Sequence, residues 1–260
     1  MRGKLTRSIR MLAILAGSFV AAGSAHASFT TIGKMAAGEP GQEQILEHQY
    51  GGDWHKVGDD YYNGSMSAKR MDDYLSDPSV LNIATGKCGY STDQMWCGNN
   101  FNVSAVAKWS DYTQHIAALD AHGHTHDLFD VNGYGNAIDP VSQLLDLHGQ
   151  QFKWVRSGNS GTDTSMESDN ADLRDHLVTY VVEGLPGVSG PVWMLFFEDI
   201  DRSLIPSSKR SYADFNDLVL EVRSVVSPVP LPPAGWAGLF TLGCGAIIRG
   251  RKLISKALTA

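Results

Sequence analysis

The chain of 260 residues contains three cysteines, no recognisable nucleophile elbow and no long amphipathic helical stretch. Each shortage excludes something. Three cysteines without further close-spaced ligands do not make a structural zinc site. The absence of a GxSxG motif removes the usual signature of an α/β-hydrolase. Without a sustained helical period or an internal repeat, helical bundles and solenoids drop out. Basic residues are scarce in the middle of the chain. Of 21 Lys and Arg, four lie in Met1–Ala27 and four after Pro228, and neither segment contains an acidic residue. The body between them holds 13 basic against 28 acidic residues, a formal charge of −15. That argues against nucleic acid or anionic lipid as a partner of the body.

The two ends carry addresses. Arg2, Lys4, Arg7 and Arg10 precede a short apolar run, Met11–Ala22, and then the small-x-small sequence Ala25-His26-Ala27. This is the pattern of a secretory signal peptide, residues 1–27, cut between Ala27 and Ser28. At the other end, Pro228–Pro233 reads as a stiff extended spacer. An apolar, glycine-rich segment, Ala234–Ile248, follows, and then Arg249, Arg251 and Lys252. An apolar segment with a basic stop should lodge in the inner membrane with its C-terminus inside. Its length is marginal for a permanent span, which suits a transient sorting helix over residues 228–260. Cys244 lies within it, a small apolar residue or a lipidation site.

Residues 28–227 are long enough for one domain. Gly, Asn, Asp and Ser punctuate them every ten to fifteen residues, as short strands and turns require. A short helix is expected at Gln42–Tyr50. Strands are expected at Phe101–Trp109, with Val103, Ala105, Ala107 and Trp109 facing one way, at Leu128–Val131, and at Tyr112–Leu119, where HIAALD also reads as a helical turn. Others are Gln151–Arg156, with Phe152 and Trp154 on one face, and His176–Val182. The expected fold is all-β: an antiparallel β-sandwich, jelly-roll-like, with a short N-terminal helix. In an oxidising compartment Cys88 and Cys97 would form one disulfide closing the loop between them.

The most informative stretch is Val192–Val222. An apolar, aromatic run suited to a buried strand stops at Glu198 and Asp199. After a connection of about fourteen residues, Asp214, Phe215, Asn216 and Asp217 lead into a second strand, Leu218–Val222. Four carboxylates and an amide should therefore meet where the strands leave the loop. Glu198, Asp199, Asp214, Asn216 and Asp217, with Asp201 and Glu221 nearby, are hard oxygen donors and candidate calcium ligands. The same oxygens suit a structural task, accepting loop N–H groups, with Glu221 facing solvent. As a carboxylate pair, Glu198 and Asp217 also raise glycoside hydrolysis, with one as acid and the other as nucleophile. The HGHTH stretch places His122, His124 and His126 on one face if extended, where they could hold zinc or copper; otherwise it is a polar turn, which Gly123 favours. Trp54, Tyr61, Tyr62 and Trp96 are candidates for a carbohydrate-contacting face, or else packing aromatics.

Two of these stretches carry a resemblance. VPLPPAGWAGLFTLGCGAIIRGRK resembles the PEP-CTERM sorting signal in its VPLPA-type variant, with Val229, Pro230, Leu231 and Pro232 at the motif positions and Arg249, Arg251 and Lys252 as the basic stop. The resemblance implies export in a Gram-negative bacterium and a membrane-anchored precursor. It also implies an exosortase-like membrane protease that removes the tail, and a link to exopolysaccharide and biofilm matrix. Phe197-Glu198-Asp199 and Asp214-Phe215-Asn216-Asp217 resemble the FED…DFND domain of unknown function found in bacterial surface proteins, here with a longer connection containing Ile205-Pro206 and Lys209-Arg210. The region from Gln42 to Gly64, with Val103–Asp120, is similar to the start of exported PEP-CTERM proteins. Together they imply a non-catalytic surface or matrix protein. A secreted hydrolase of polysaccharide is the rival.

Overall fold

The computed structural model describes residues 30–71, 81–82, 87–88, 92–98, 100–199 and 213–225. The signal segment with its Ala27/Ser28 junction lies outside them, as do Asp201, Cys244, the Val229–Pro232 motif, the basic stop and the side chain of Cys88. Among the described residues no helix is long and apolar enough to cross a membrane.

Among those residues one α-helix, α1 (Gln42–Tyr50), precedes seventeen short strands. They are β1 (His55–Val57), β2 (Asp60–Asn63), β3 (Met66–Arg70), β4 (Leu81–Asn82), β5 (Lys87–Cys88), β6 (Trp96–Cys97), β7 (Asn100–Ala107), β8 (Gln114–Asp120) and β9 (Thr125–Val131). There follow β10 (Gly133–Tyr134), β11 (Ala137–Ile138), β12 (Ser142–Asp146), β13 (Gln151–Gly158), β14 (Gly161–Thr164), β15 (Leu177–Glu183), β16 (Val192–Phe197) and β17 (Leu218–Ser224). The larger sheet runs β1-β2-β3-β15-β16-β17-β7-β12, and the smaller β14-β13-β8-β9, with β6 also pairing to β13. All these pairs are antiparallel. The mostly antiparallel β architecture expected from the sequence is present, with the short helix at its start. A jelly roll divides eight strands between two sheets, whereas here eight lie in one sheet.

The centre of the larger sheet is buried on both faces, which is why β16 reads as an unbroken apolar run. Leu195 and Phe197 point into the core between the sheets, with Trp96, Phe152, Trp154, Leu218 and Leu220. Val192, Met194 and Phe196 point the other way, into a second core with Ile45 and Leu46 of α1, Trp54 and Tyr180. The fold is thus a sandwich with a helical cover on one outer face. Gly41 opens the helix by donating its N–H to Gln44 Oε1 at 2.7 Å. Gly51, at φ 72°, ends it and donates to the Glu47 carbonyl at 2.8 Å.

Strand β7 departs from simple alternation. Val103 joins the inter-sheet core, but Ala107 and Trp109 belong to the core under α1. A register shift explains this: β17 pairs Val219 with Ala107 and Leu220 with Ala105, so Val106 bulges out of the ladder. One extra residue swaps the faces beyond it.

Glu221 does not face solvent. It is 6 % exposed and accepts from Tyr50 Oη at 2.8 Å and Gln49 Nε2 at 3.1 Å, and it pairs with Arg223. Burial opposes ionisation, but the donors from Arg223, Tyr50 and Gln49 win and hold its carboxyl below the usual range. Glu221→Ala leaves Tyr50 and Gln49 without that acceptor and is expected to lower stability by about 1–3 kcal/mol, read as a shift in denaturation midpoint at constant slope. A change below about 0.5 kcal/mol would mean that the helix is held by Ile45, Leu46 and Gln42 without help from Glu221.

Candidate functional site

The expected acidic corner forms, and the register shows why. In the β16–β17 pair Phe197 lies opposite Leu218, so the next residues outward, Glu198 and Asp217, leave the ladder side by side. Neighbouring strands extend the ladder past its formal end: Glu198 N–H donates to the His176 carbonyl at 3.0 Å and Trp109 N–H to the Asp217 carbonyl at 3.2 Å. Single oxygens of Glu198, Asp214 and Asp217 lie within 4.8 Å of one another, the one such group of potential metal ligands among the described residues. All five motif residues are buried, from 0 % exposed at Asn216 to 8 % at Asp217.

Each acid is tied to the protein. Asp217 Oδ2 accepts the Asp199 N–H at 2.7 Å, and Asp214 Oδ2 accepts the Ala36 N–H at 2.9 Å. Asp199 Oδ2 accepts from Gln114 Nε2 at 2.7 Å and from Ser110 Oγ. Phe215 holds φ 54° between the acids, with its N–H 3.5 Å from Glu198 Oε2. Asn216 Nδ2 donates to the Pro40 carbonyl at 3.0 Å, while its Oδ1 is buried without a hydrogen-bond partner. The segment before α1 closes over this side: Gly33 N–H donates to the Ala213 carbonyl, and Gln42 Nε2 to the Asp214 carbonyl, both at 2.6 Å.

Burial pushes the Asp217 carboxyl far above the ordinary range, and the charges of Glu198 and Asp199 push the same way; the Asp199 N–H only partly offsets them. Asp214 is raised by burial as well, opposed by the Ala36 N–H. Two cations that the motif does not include sit nearby. Arg156 is 0 % exposed; burial lowers its pKa, and Asp199, Asp217 and Glu198 pull it back. Lys108 is buried, donates to the Tyr112 carbonyl at 2.8 Å and to the Ser110 carbonyl, and is lowered by burial against Asp199, Asp111 and Asp217. A buried polar chain leads away from the corner: Gln114 Oε1 accepts from Arg156 at 3.0 Å, Arg156 pairs with Asp163, and Asp163 lies 3.8 Å from His176.

The other sequence candidates separate. Trp54 and Trp96 are 0 % exposed and Tyr61 3 %, so these three are core residues and present no surface to a sugar; Tyr62 is half-buried. HGHTH spans the tight turn between β8 and β9 and the first two residues of β9, Thr125 and His126. Asp120 organises it, accepting the N–H groups of His122 and His124 at 2.8 and 2.9 Å and lying 3.2 and 3.1 Å from the rings of His124 and His126. Burial works against the Asp120 charge, yet these donors hold its carboxyl well below the usual range. Two of the three imidazoles are thus engaged with one carboxylate, the geometry of the polar turn. Cys97 sits beside Trp96 on β6, and the side chain of Cys88, its expected disulfide partner, lies outside the described residues.

What the fold and site define is an antiparallel β-sandwich domain with a buried acidic corner. No family model matches the chain and no curated protein matches it. Among solved structures it is similar to the C-terminal domain of the BC2L-C lectin from Burkholderia cenocepacia, at 13% identity and TM-score 0.34, over 53% of this chain and 100% of that one. It is also similar to the Chromobacterium violaceum lectin CV2L, solved in complex with alpha-methyl-fucoside, at 13% identity and TM-score 0.33, with the same coverage. No property of either lectin passes to this chain by likeness at this level.

Proposed function

We propose that this is an exported, non-catalytic protein of the cell surface or exopolysaccharide matrix, whose acidic corner is a structural latch that takes calcium. The observation that carries it is the burial of Glu198 and Asp217, 1 % and 8 % exposed and engaged with backbone at the end of a four-strand ladder. Glycoside hydrolysis needs two carboxyls flanking a bond that can reach them, with room for water; a packed strand end gives neither.

Calcium suits the donor set. Glu198, Asp214 and Asp217 offer hard oxygens within reach of one another, and Asn216 Oδ1 is a buried acceptor with no partner. Export and tail removal rest on the sequence. The signal segment would deliver the chain across the inner membrane, and the sorting helix would hold it there transiently until an exosortase-like protease cuts near Val229–Pro232. An oxidising destination also suits a Cys88–Cys97 bridge. The partner there would be extracellular polysaccharide.

The test compares wild type with Glu198→Gln. Neither should release reducing ends from a panel of bacterial polysaccharides, and calcium should raise the wild-type melting temperature over that in chelator. Cleavage by wild type that disappears in Glu198→Gln at an unchanged melting temperature would overturn the proposal in favour of a hydrolase. A melting temperature indifferent to chelator would remove calcium from it.

A further inference from the structure

The structure has a polar pocket lined by none of the acidic corner's carboxylates, though His176 joins the two, lying 3.2 Å from the Glu198 carbonyl through its Nδ1. The pocket is lined by Thr30, Thr31, Glu167, Asp172, Leu173, Arg174 and Asp175, and has a volume of about 520 Å³. That lies in the range of small-ligand sites, roughly 300–1,000 Å³. The floor is built. His176, 2 % exposed, lies 3.0 Å from Asp172 Oδ1 through its Nε2, and Asp172 Oδ1 also accepts the Arg174 N–H at 3.1 Å. The other oxygen, Asp172 Oδ2, is buried and has no hydrogen-bond partner, although the side chain is 4 % exposed and so largely cut off from water. A buried carboxylate oxygen without a donor is costly and calls for an explanation. Leu173, at φ 54° and 66 % exposed, stands at the edge as an isolated apolar side chain.

We infer that this pocket binds a saccharide residue rich in hydroxyl or amino donors. The inference rests on the surface or matrix role proposed above and gives the polysaccharide partner a place to bind. A metal ion does not fit, because these carboxylates are too far apart to form a ligand group like that of Glu198, Asp214 and Asp217. An organic ligand with several donors does. Vicinal hydroxyls can donate to Glu167 and Asp172, and their oxygens can accept from Arg174 and the two threonine hydroxyls. Leu173 offers a small apolar rim to the C–H face of a ring. Three carboxylates against one guanidinium disfavour a uronic acid, as does the net charge of the body.

The test titrates the full, isotopically labelled chain with three pentasaccharides, of N-acetylglucosamine, glucosamine and galacturonic acid, and follows its amide resonances. The neutral sugar, the amino sugar or both should shift Glu167 and Leu173–Asp175, and the acidic one should not. Arg174→Ala should weaken that binding by about tenfold or more while melting at the wild-type temperature; Thr31→Val provides a second variant if Arg174→Ala fails to fold. Binding that shifts other amides, or is indifferent to both variants, would overturn this pocket and leave the proposed matrix role standing. Binding of neither the neutral nor the amino sugar, or preference for the acidic one, would also overturn it. None of these outcomes bears on the calcium latch, which the melting experiment judges separately.

Discussion

Arg156→Met will destabilise the domain by about 3–5 kcal/mol, the cost of leaving buried charge without its partner. Arg156 is fully buried on β13 and reaches the larger sheet through Gln114: it donates to Gln114 of β8 and pairs with Asp163 of β14, and Gln114 donates to Asp199 at the end of β16. Methionine keeps most of the volume, so packing contributes little and the loss is electrostatic. Glu198, Asp199 and Asp217 would then have Lys108 as the remaining buried cation described near them. At the 2–4 °C per kcal/mol typical of domains this size, the melting temperature should fall by roughly 6–20 °C. Arg156→Lys should recover only part of it, because one ammonium cannot reach Gln114 and Asp163 in the fixed fork geometry of a guanidinium. If Arg156→Met costs less than about 1 kcal/mol, the guanidinium serves Gln114 and Asp163 as a hydrogen-bond donor and not as the counter-charge of the corner. A double-mutant cycle with Asp199→Asn separates these, since coupling above about 1 kcal/mol requires that the two groups interact.

That arginine was within reach of the sequence. Alternation in QFKWVR puts Phe152 and Trp154 on the core face, and the same period carries on to Arg156. In β8 it places Gln114, Ile116, Ala118 and Asp120 together, all buried, so a polar residue stands at each end of one apolar stripe. Gln114 then meets the acidic corner and Asp120 the histidine turn. Lys108 was hidden for a different reason. The bulge in β7 changes which parity faces which core, and no composition signal marks it. The helix, the β16–β17 pair and the meeting of the acids were legible because each follows from local pattern. The polar pocket was not, because Thr30 and Glu167–Asp175 are far apart in the chain and come together only through tertiary packing. The aromatic candidates failed for want of context: Trp54 and Trp96 sit in turn-like sequence, yet each fills a core between layers. Short polar surroundings say little about burial when two sheets and a helix converge on them.

Lowering the pH of the chelated protein from about 8 to about 5 will raise its stability, because carboxyls with raised pKa values favour the folded state when protonated. The direction follows from Asp217 and Asp214. Burial raises both, and at Asp217 the neighbouring Glu198 and Asp199 raise it further. A raised folded pKa means that the native state holds protons the unfolded chain has released. The stabilisation is fully present below the unfolded value and is lost as pH rises through the folded one. Asp120 and Glu221 are shifted downward, so their contributions are lost only as pH falls below the ordinary carboxylate range, outside this window. His115 acts in the same direction as Asp217. Burial lowers it, but Asp130 and Asp127 raise it more, so His115→Gln is the control. Calcium should reverse the trend. A cation bound by Glu198, Asp214 and Asp217 replaces their protons, so binding releases protons and strengthens as pH rises. At a hundredfold excess over its dissociation constant it would add about 2.7 kcal/mol. Melting curves in chelator and in calcium across this range measure both slopes, and calorimetry in two buffers of different ionisation enthalpy counts the protons released. Asp217→Asn should flatten the chelated curve while its amide oxygen still accepts the Asp199 N–H. Stability that falls with pH in chelator would mean that these acids are ionised and held by Arg156 and Lys108 alone, and a calcium curve that overlays it would leave the latch without an ion.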